Sequence, residues 1–227
     1  MAHKVWHHHG QMSEAFRTVM FLSASGGLQD AYTYIGRGKV FANAQTGNIV
    51  LMSQAAFNGD LSRVLHYLIP LLSFALGVAA AEVIHIRYRE AKHLHWRQLV
   101  LVVEIFLLFG VGFIPNTLDL AANALVSFAC AMQVQAFRKV HGYPFASTMC
   151  IGNMRSGMES LVVYFHLHDK KVLHKALHYF GVILLFAIGA GVGAHCVAVF
   201  GNKTIWFSCA LLLVSLCFMF IQDEEED

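Results

Sequence analysis

"LHYLIPLLSFALG", residues 65 to 77, returns 112 residues later as "LHYFGVILLFAIG", residues 177 to 189. Both copies open on Leu-His-Tyr, close on a glycine and are apolar in between. Shared apolar composition alone can produce one such match. A second match lies upstream in the same order. "GLQDAYTYIGRGKVFANAQTGNIV" is echoed by "MQVQAFRKVHGYPFASTMCIGNMR" at an offset of 105, pairing Ala31 with Ala136, Tyr32 with Phe137, Gly47 with Gly152 and Asn48 with Asn153. Two matches in order, each anchored on polar or glycine residues, read as an internal duplication. The offsets of 105 and 112 leave about seven extra residues in the second half, around "HLHDKKVLHK". Each half then runs helix, polar-centred segment, helix, helix.

The composition says where such a chain lives. Of its 227 residues, 57% are hydrophobic and 13% charged, with a mean hydropathy of +0.55. A soluble domain carries about 25% charged residues. The apolar residues come in blocks: residues 98–114 contain one charge, Glu104, while residues 177–200 and 204–221 contain no Asp, Glu, Lys or Arg. Each block is near the roughly 20 residues of a spanning helix. The reading is an all-α integral membrane protein with the lipid bilayer as partner. The polar start "MAHKVWHHHGQMSEAF" has no cleavable signal pattern, and His7 to His9 are a native run or a tag. The five cysteines, at 130, 150, 196, 209 and 217, lie in or beside apolar segments without a CxxC pair, so free thiols are expected and no metal.

The lysines and arginines then arbitrate topology. If the polar segments cross the membrane, the chain has eight spans and its basic residues divide nine against six. If both enter and leave by one face, there are six spans. The cytoplasmic side then holds Lys4, Arg17, Arg87, Arg89, Lys92, Arg97, Arg138, Lys139, Arg155, Lys170, Lys171 and Lys175, against Arg37, Lys39, Arg63 and Lys203 outside. Twelve against four is the stronger positive-inside bias. The expected architecture is therefore six transmembrane helices as two inverted three-span repeats, each with a re-entrant polar segment. A cytoplasmic tail covers 1–14, the repeats 15–116 and 117–221, and an acidic tail 222–227, with both termini cytoplasmic. Inverted repeats with broken helices near the midplane are a recurring transporter plan.

"NAQTGNIV", residues 43 to 50, fits that plan, because irregular backbone at membrane depth is tolerated where it lines a cavity or is buried in protein. Asn43, Gln45, Thr46, Gly47 and Asn48 are its candidate solute contacts, with Thr46 and Asn48 expected to cap a half-helix. "PFASTMCIGNMR" offers Ser147, Thr148, Gly152, Asn153 and Arg155 in the other half. Two facing helix ends favour an anionic or carbonyl-bearing solute. The competing reading makes these residues helix–helix glue.

"GGLQDAYTYIGRGKVFANAQTGNIVLM" resembles the YoaK family of bacterial membrane proteins, through an Asp-Ala pair on the first helix and a Thr-Gly-Asn motif after it: Asp30, Ala31, Thr46, Gly47 and Asn48. The resemblance extends over residues 14 to 221 and implies a bacterial inner-membrane protein for which transport is the suggested activity. The second half departs from the pattern, with Ile151 in place of the threonine and Gln135 where Asp30 would stand.

The remaining ionisable residues divide between chemistry and packing. Asp30 binds a cation or proton, or pairs with Arg37 or Lys39. Glu104 is an intramembrane acid and a proton-coupling candidate, unless it reaches Arg97. His195 is a second proton-coupling candidate, weighed against a hydrogen-bonded core histidine. Glu82 is expected to meet Arg87 or Arg89, and Glu159 to meet Arg155 four residues before it. Gly189 and Gly193 read as a close-packing face. No nucleotide or hydrolase motif occurs, and no cofactor or nucleic-acid partner is implied. A transporter or channel for a small molecule or ion, as a monomer or homo-oligomer, ranks ahead of a structural or sensory subunit. An intramembrane enzyme ranks last, because no nucleophile and base stand together.

Overall fold

The computed structural model describes residues 16–89, 95–140, 143–144, 148 and 150–223, with backbone alone at 139–140, 143–144 and 221–223. The tail 1–14 with His7 to His9, Ser147 and the last four acidic residues lie outside the described residues. Among the described residues the regular structure is helical, apart from a two-residue pairing of Lys139–Val140 with Tyr143–Pro144. Helix α1 (Phe16–Ala31) continues through a π-helical turn (Tyr32–Gly36). After it come α2 (Gln45–Phe57), α3 (Leu61–Tyr88), α4 (Trp96–Val111), α5 (Asp119–Ala136), α6 (Cys150–Leu167), α7 (Lys170–Phe200) and α8 (Ile205–Asp223). Among the described residues, three stretches are long and apolar enough to cross a membrane: Leu61–Tyr88, Asn116–Ala136 and Lys170–Phe220. The long helices α3 and α7 both start on an aspartate cap. Asp60 accepts from the Arg63 amide and Asp169 from the Lys171 amide.

The closing glycines of the two duplicated stretches do the same work. A Cβ at Gly77 would stand 2.3 Å from the Phe128 carbonyl oxygen, and one at Gly189 would stand 2.0 Å from that of Ala24. Backbone therefore lies directly on backbone where α3 meets α5 and where α7 meets α1. In lipid, where apolar side chains gain little by meeting each other, such close approach is a main source of helix association.

The other packing pairs follow the same exchange. Helix α2 packs on α3 and α6 on α7, α4 on α5 and α8 on α1, and α4 meets α8. Exchanging α1 to α4 with α5 to α8 returns these pairs. Helices α1 and α7 run parallel, with Ala24 against Gly189 and Leu28 against Gly193. Helices α1 and α5 run antiparallel, since Gln29 meets Cys130 while Gln133 reaches back to the Leu22 carbonyl. Helices α4 and α8 are antiparallel too, through Cys209 to the Ile105 carbonyl and Trp206 to that of Phe109.

The surface is largely apolar, and the centre holds polar groups within its apolar core. Phe57 is 95% and Ile151 85% exposed, whereas Gln29, Glu104 and Asn123 are fully buried. That distribution suits a chain whose solvent is hydrocarbon and whose polar groups must find partners inside.

Candidate functional site

The first polar segment is placed by an arginine. Arg37 ends the π-helical turn and is fully buried. Its Nε donates to Tyr32 Oη at 2.8 Å, Nη1 to Asp119 Oδ1 at 2.9 Å, and Nη2 to the Ile114 carbonyl at 2.8 Å. Asn123 Nδ2 donates to its carbonyl at 2.6 Å. The end of α1 is thus tied to the end of α4 and the start of α5. Arg37 is taken by Asp119 and Lys39 sits over the Tyr34 ring, so neither is the partner of Asp30 that the sequence suggested.

From there the chain turns back along α1. The Asn43 amide donates to Asp30 Oδ1 at 2.7 Å, below the end of the helix the chain has just left. Helix α2 then starts beside Asp30, and His66, early in α3, contacts the Gly38 carbonyl at 2.8 Å. The segment enters and leaves at the same end of the bundle.

Within the segment the expected roles change. Asn48 Oδ1 accepts from the Phe41 amide at 3.0 Å, while Nδ2 donates to the Phe41 carbonyl at 2.7 Å and to Gln45 Oε1 at 2.9 Å. Gln45 Nε2 donates to the Ala42 carbonyl at 2.8 Å. These two amides fold the loop onto its own helix. Thr46 is exposed, and α2 begins after Ala44 without a side-chain cap, so neither Thr46 nor Asn48 caps it. Gly47 lies against the Phe41 ring. The residue that turns inward is Asn43.

The second segment meets it there. Thr148 is buried, and a Cβ at Gly26 would lie 2.3 Å from Thr148 Cγ2 and 3.8 Å from Asn43 Nδ2. Asn43 and Thr148 are equivalent at the 105-residue offset, so the two halves bring corresponding positions together over Gly26, where Asn43 Nδ2 donates to the carbonyl at 3.3 Å. Asn43 Oδ1 and Thr148 Oγ1 are buried without a hydrogen-bond partner. Buried polar oxygens are nearly always paired in folded proteins, and these two, among eight unpaired buried side-chain atoms in the described residues, lie beside a buried carboxyl.

The other candidates lie elsewhere. Asn153 is buried, but Gly152 and Arg155 are exposed, and Arg155 forms no ion pair with Glu159 among the described residues. Gln135 donates to Glu82, which also contacts His85 at 3.3 Å, so Glu82 pairs with neither Arg87 nor Arg89. Matching Ala24 to Phe128 through their glycines sets Val134, not Gln135, in the place of Asp30. Small residues recur at both registers, which hides that one-residue slip in the sequence. His195 is exposed on α7, neither a core histidine nor near the buried acids. With Arg155 outside and Asp30 inside, the site is rich in acceptors. Among the described residues, no cationic side chain stands there for the anion suggested by the sequence.

Glu104 lies halfway along α4 and is fully buried, away from Arg97, whose Nε donates to the Ala136 carbonyl at 2.9 Å. Its Oε1 accepts from Gln29 Nε2 at 3.3 Å. The same nitrogen lies 3.0 Å from Ser25 Oγ and 2.9 Å from Ser208 Oγ, and the two hydroxyls are 2.6 Å apart. The Cys130 thiol donates to Gln29 Oε1. Sequence reasoning missed Arg37, Gln29, Ser25, Ser208 and Cys130 as members of these networks. The available signal was polar Gln29 in an apolar helix, directly before Asp30.

The chain belongs to the family described as protein of unknown function (DUF1275), which matches residues 18–218. It is also similar to the UPF0700 transmembrane protein YoaK of Bacillus subtilis (strain 168), 26% identical over 212 residues, covering 87% of this chain and 92% of that protein. No solved structure matches. The transmembrane relative and the long apolar helices agree on an integral membrane protein.

Proposed function

We propose that this chain is a transporter or channel of the bacterial inner membrane that passes a small polar solute between Asn43 and Thr148, beside Asp30. The observation that carries the reading is the meeting of two equivalent positions, each with an unpartnered buried oxygen, just ahead of α2 and α6. Acceptor oxygens next to a carboxyl favour a solute with hydrogen-bond donors, such as an amine, a polyol or a cation.

The membrane plan is part of the proposal. Helices α1, α3, α4, α5, α7 and α8 are six spans, α2 and α6 re-entrant pieces, and the halves inverted repeats with both termini cytoplasmic. The antiparallel courses of α1 with α5 and α4 with α8 support inversion. The contact of His66 with Gly38 supports re-entry of the first segment.

Proteoliposome uptake of labelled amines, polyols and monovalent cations tests the solute site. Uptake of a member of the panel is expected, with Asn43→Ala and Thr148→Val each lowering it by about tenfold, the effect of losing roughly 1.4 kcal/mol of interaction. A folded protein that moves none of these probes returns the chain to a structural or sensory role. Topology is read separately. Single cysteines at Arg89 and Lys171 stay protected from an impermeant thiol reagent in intact cells, and those at Asn58 and Asn202 are labelled. External labelling at 171 favours eight spans.

A further inference from the structure

Glu104 carries its carboxyl to the centre of the bundle with no opposite charge facing it. The ionisable side chains beside it are the thiols of Cys130 on α5 and Cys209 on α8. Helix α1 presents neutral Ser25 and Gln29, with Asp30 turned to the Asn43 loop, and α3 presents no ionisable contact among the described residues. Arg97, on the same helix, and Arg37, after α1, are engaged at the two ends of the bundle. Glu104 Oε2 is buried and has no hydrogen-bond partner.

The geometry selects the ion that completes this carboxyl. A metal cation needs several oxygens around it. Ser25 Oγ, Ser208 Oγ and Glu104 Oε1 are the oxygens on offer, and all three already gather on Gln29 Nε2 at 2.9–3.3 Å. The amide nitrogen holds the place a cation would need. One free oxygen remains, which is room for a proton.

Gln29 also faces the solute site. Its carbonyl accepts from the Cys130 thiol, and Cys130 lies beside Asn43 and Asp30. When Oε2 loses its proton, the charged carboxyl draws harder on the Gln29 amide, because charge-assisted hydrogen bonds are the stronger kind. The other end of that amide then changes its hold on Cys130, next to Asn43. We propose that Glu104 is a proton-binding site coupled through Gln29 and Cys130 to the solute site at Asn43, an inference that rests on the reading of that site given above.

Dicyclohexylcarbodiimide, which modifies protonated carboxyls in apolar surroundings, tests this without a solute. Proteoliposomes are treated across a pH series and the modified peptide is read by mass spectrometry. Glu104 is expected to label, with the label falling about tenfold per pH unit above its midpoint. Glu104→Gln removes it, Glu104→Asp keeps it at a shifted midpoint, and added NaCl or KCl leaves it unchanged. Asn43→Ala shifts the midpoint by about half a unit or more in the wild-type background and not in Gln29→Leu. A folded chain in which Glu104 never labels, or in which Na⁺ protects it at constant ionic strength, overturns the proton site. An Asn43→Ala shift that is absent, or is the same with and without Gln29, overturns the coupling. Flux with an unlabelled Glu104 removes this inference alone, and a labelled, coupled chain that moves no probe removes only the transport reading.

Discussion

Helices α1 and α5 hold corresponding places in the two halves, and each carries the backbone on which a duplicated glycine packs, at Ala24 and at Phe128. Counted from those points, Ser23 matches Ser127 and Gln29 matches Gln133, all buried. One residue further on the likeness ends. Helix α1 buries Asp30, and the matching position on α5 is Val134. The loops ahead of α2 and α6 differ in the same way, with Asn43 inward in one half and Thr148 in the other. The scaffold has been kept symmetric where backbone touches backbone, since such contacts tolerate no side chain. The site has diverged where side chains meet, because one acid between two loops is enough to give a site its sign.

The largest effect is expected at the ends of the bundle. Arg37→Ala leaves Tyr32, Asp119 and two carbonyls without their donor, at a cost of about 3–5 kcal/mol for breaking a buried ion pair. Arg97→Ala, at the other end, removes the hydrogen bond to the Ala136 carbonyl and the contact over the Trp96 ring, and costs about 1.5–3 kcal/mol. Thermal unfolding in detergent, followed by a thiol-reactive dye on the buried Cys130 and Cys209, ranks the two. Equal losses break the asymmetry between the ends.

Next come the glycines. Gly77→Val and Gly189→Val each push a side chain into a neighbouring helix backbone, and overpacking of this kind costs about 1–3 kcal/mol or more. The two losses are expected to match, and to exceed that of valine at Gly191, which has open space around it. A variant at 77 that unfolds while the one at 189 does not counts against duplicated packing.

The smallest effects on stability, within about 1 kcal/mol, are expected at the loops, where Thr148→Val removes a hydroxyl that has no partner. Asn43→Ala and Thr148→Val are expected to lower uptake and spare the fold. Thr46→Ala, at an exposed position, is expected to change neither by more than about 0.5 kcal/mol. Loss of stability without loss of uptake at 43 and 148 makes both of them glue.

Much of this was legible in the residues. The blocks of apolar sequence gave the membrane, and Leu-His-Tyr with a closing glycine gave the duplication, since both signals are carried by order along the chain. "NAQTGNIV" contains Asn43, on which the proposed site rests, beside Thr46 and Asn48, which the fold uses otherwise. Thr46 and Asn48 stand out by composition, yet Asn48 is consumed by Phe41 and Gln45, and Thr46 faces outward. Whether a polar side chain is spent locally or left for a ligand depends on which atoms lie within about 3 Å of it, and sequence spacing does not encode that across a loop.

The sequence by itself determined the solvent and the helical class, because hydrocarbon demands long apolar helices, and it carried the pattern on which the proposed repeat rests. Only the tertiary structure decided that Arg37 serves Asp119 rather than Asp30, that Asn43 and Thr148 meet over Gly26, and that Glu104 lies on Gln29 away from Arg97. Those pairings join residues far apart in the chain, and their choice is made by helix packing. A glycine that lets two backbones touch fixes the rotation of both helices, and with it the side chains that face each other.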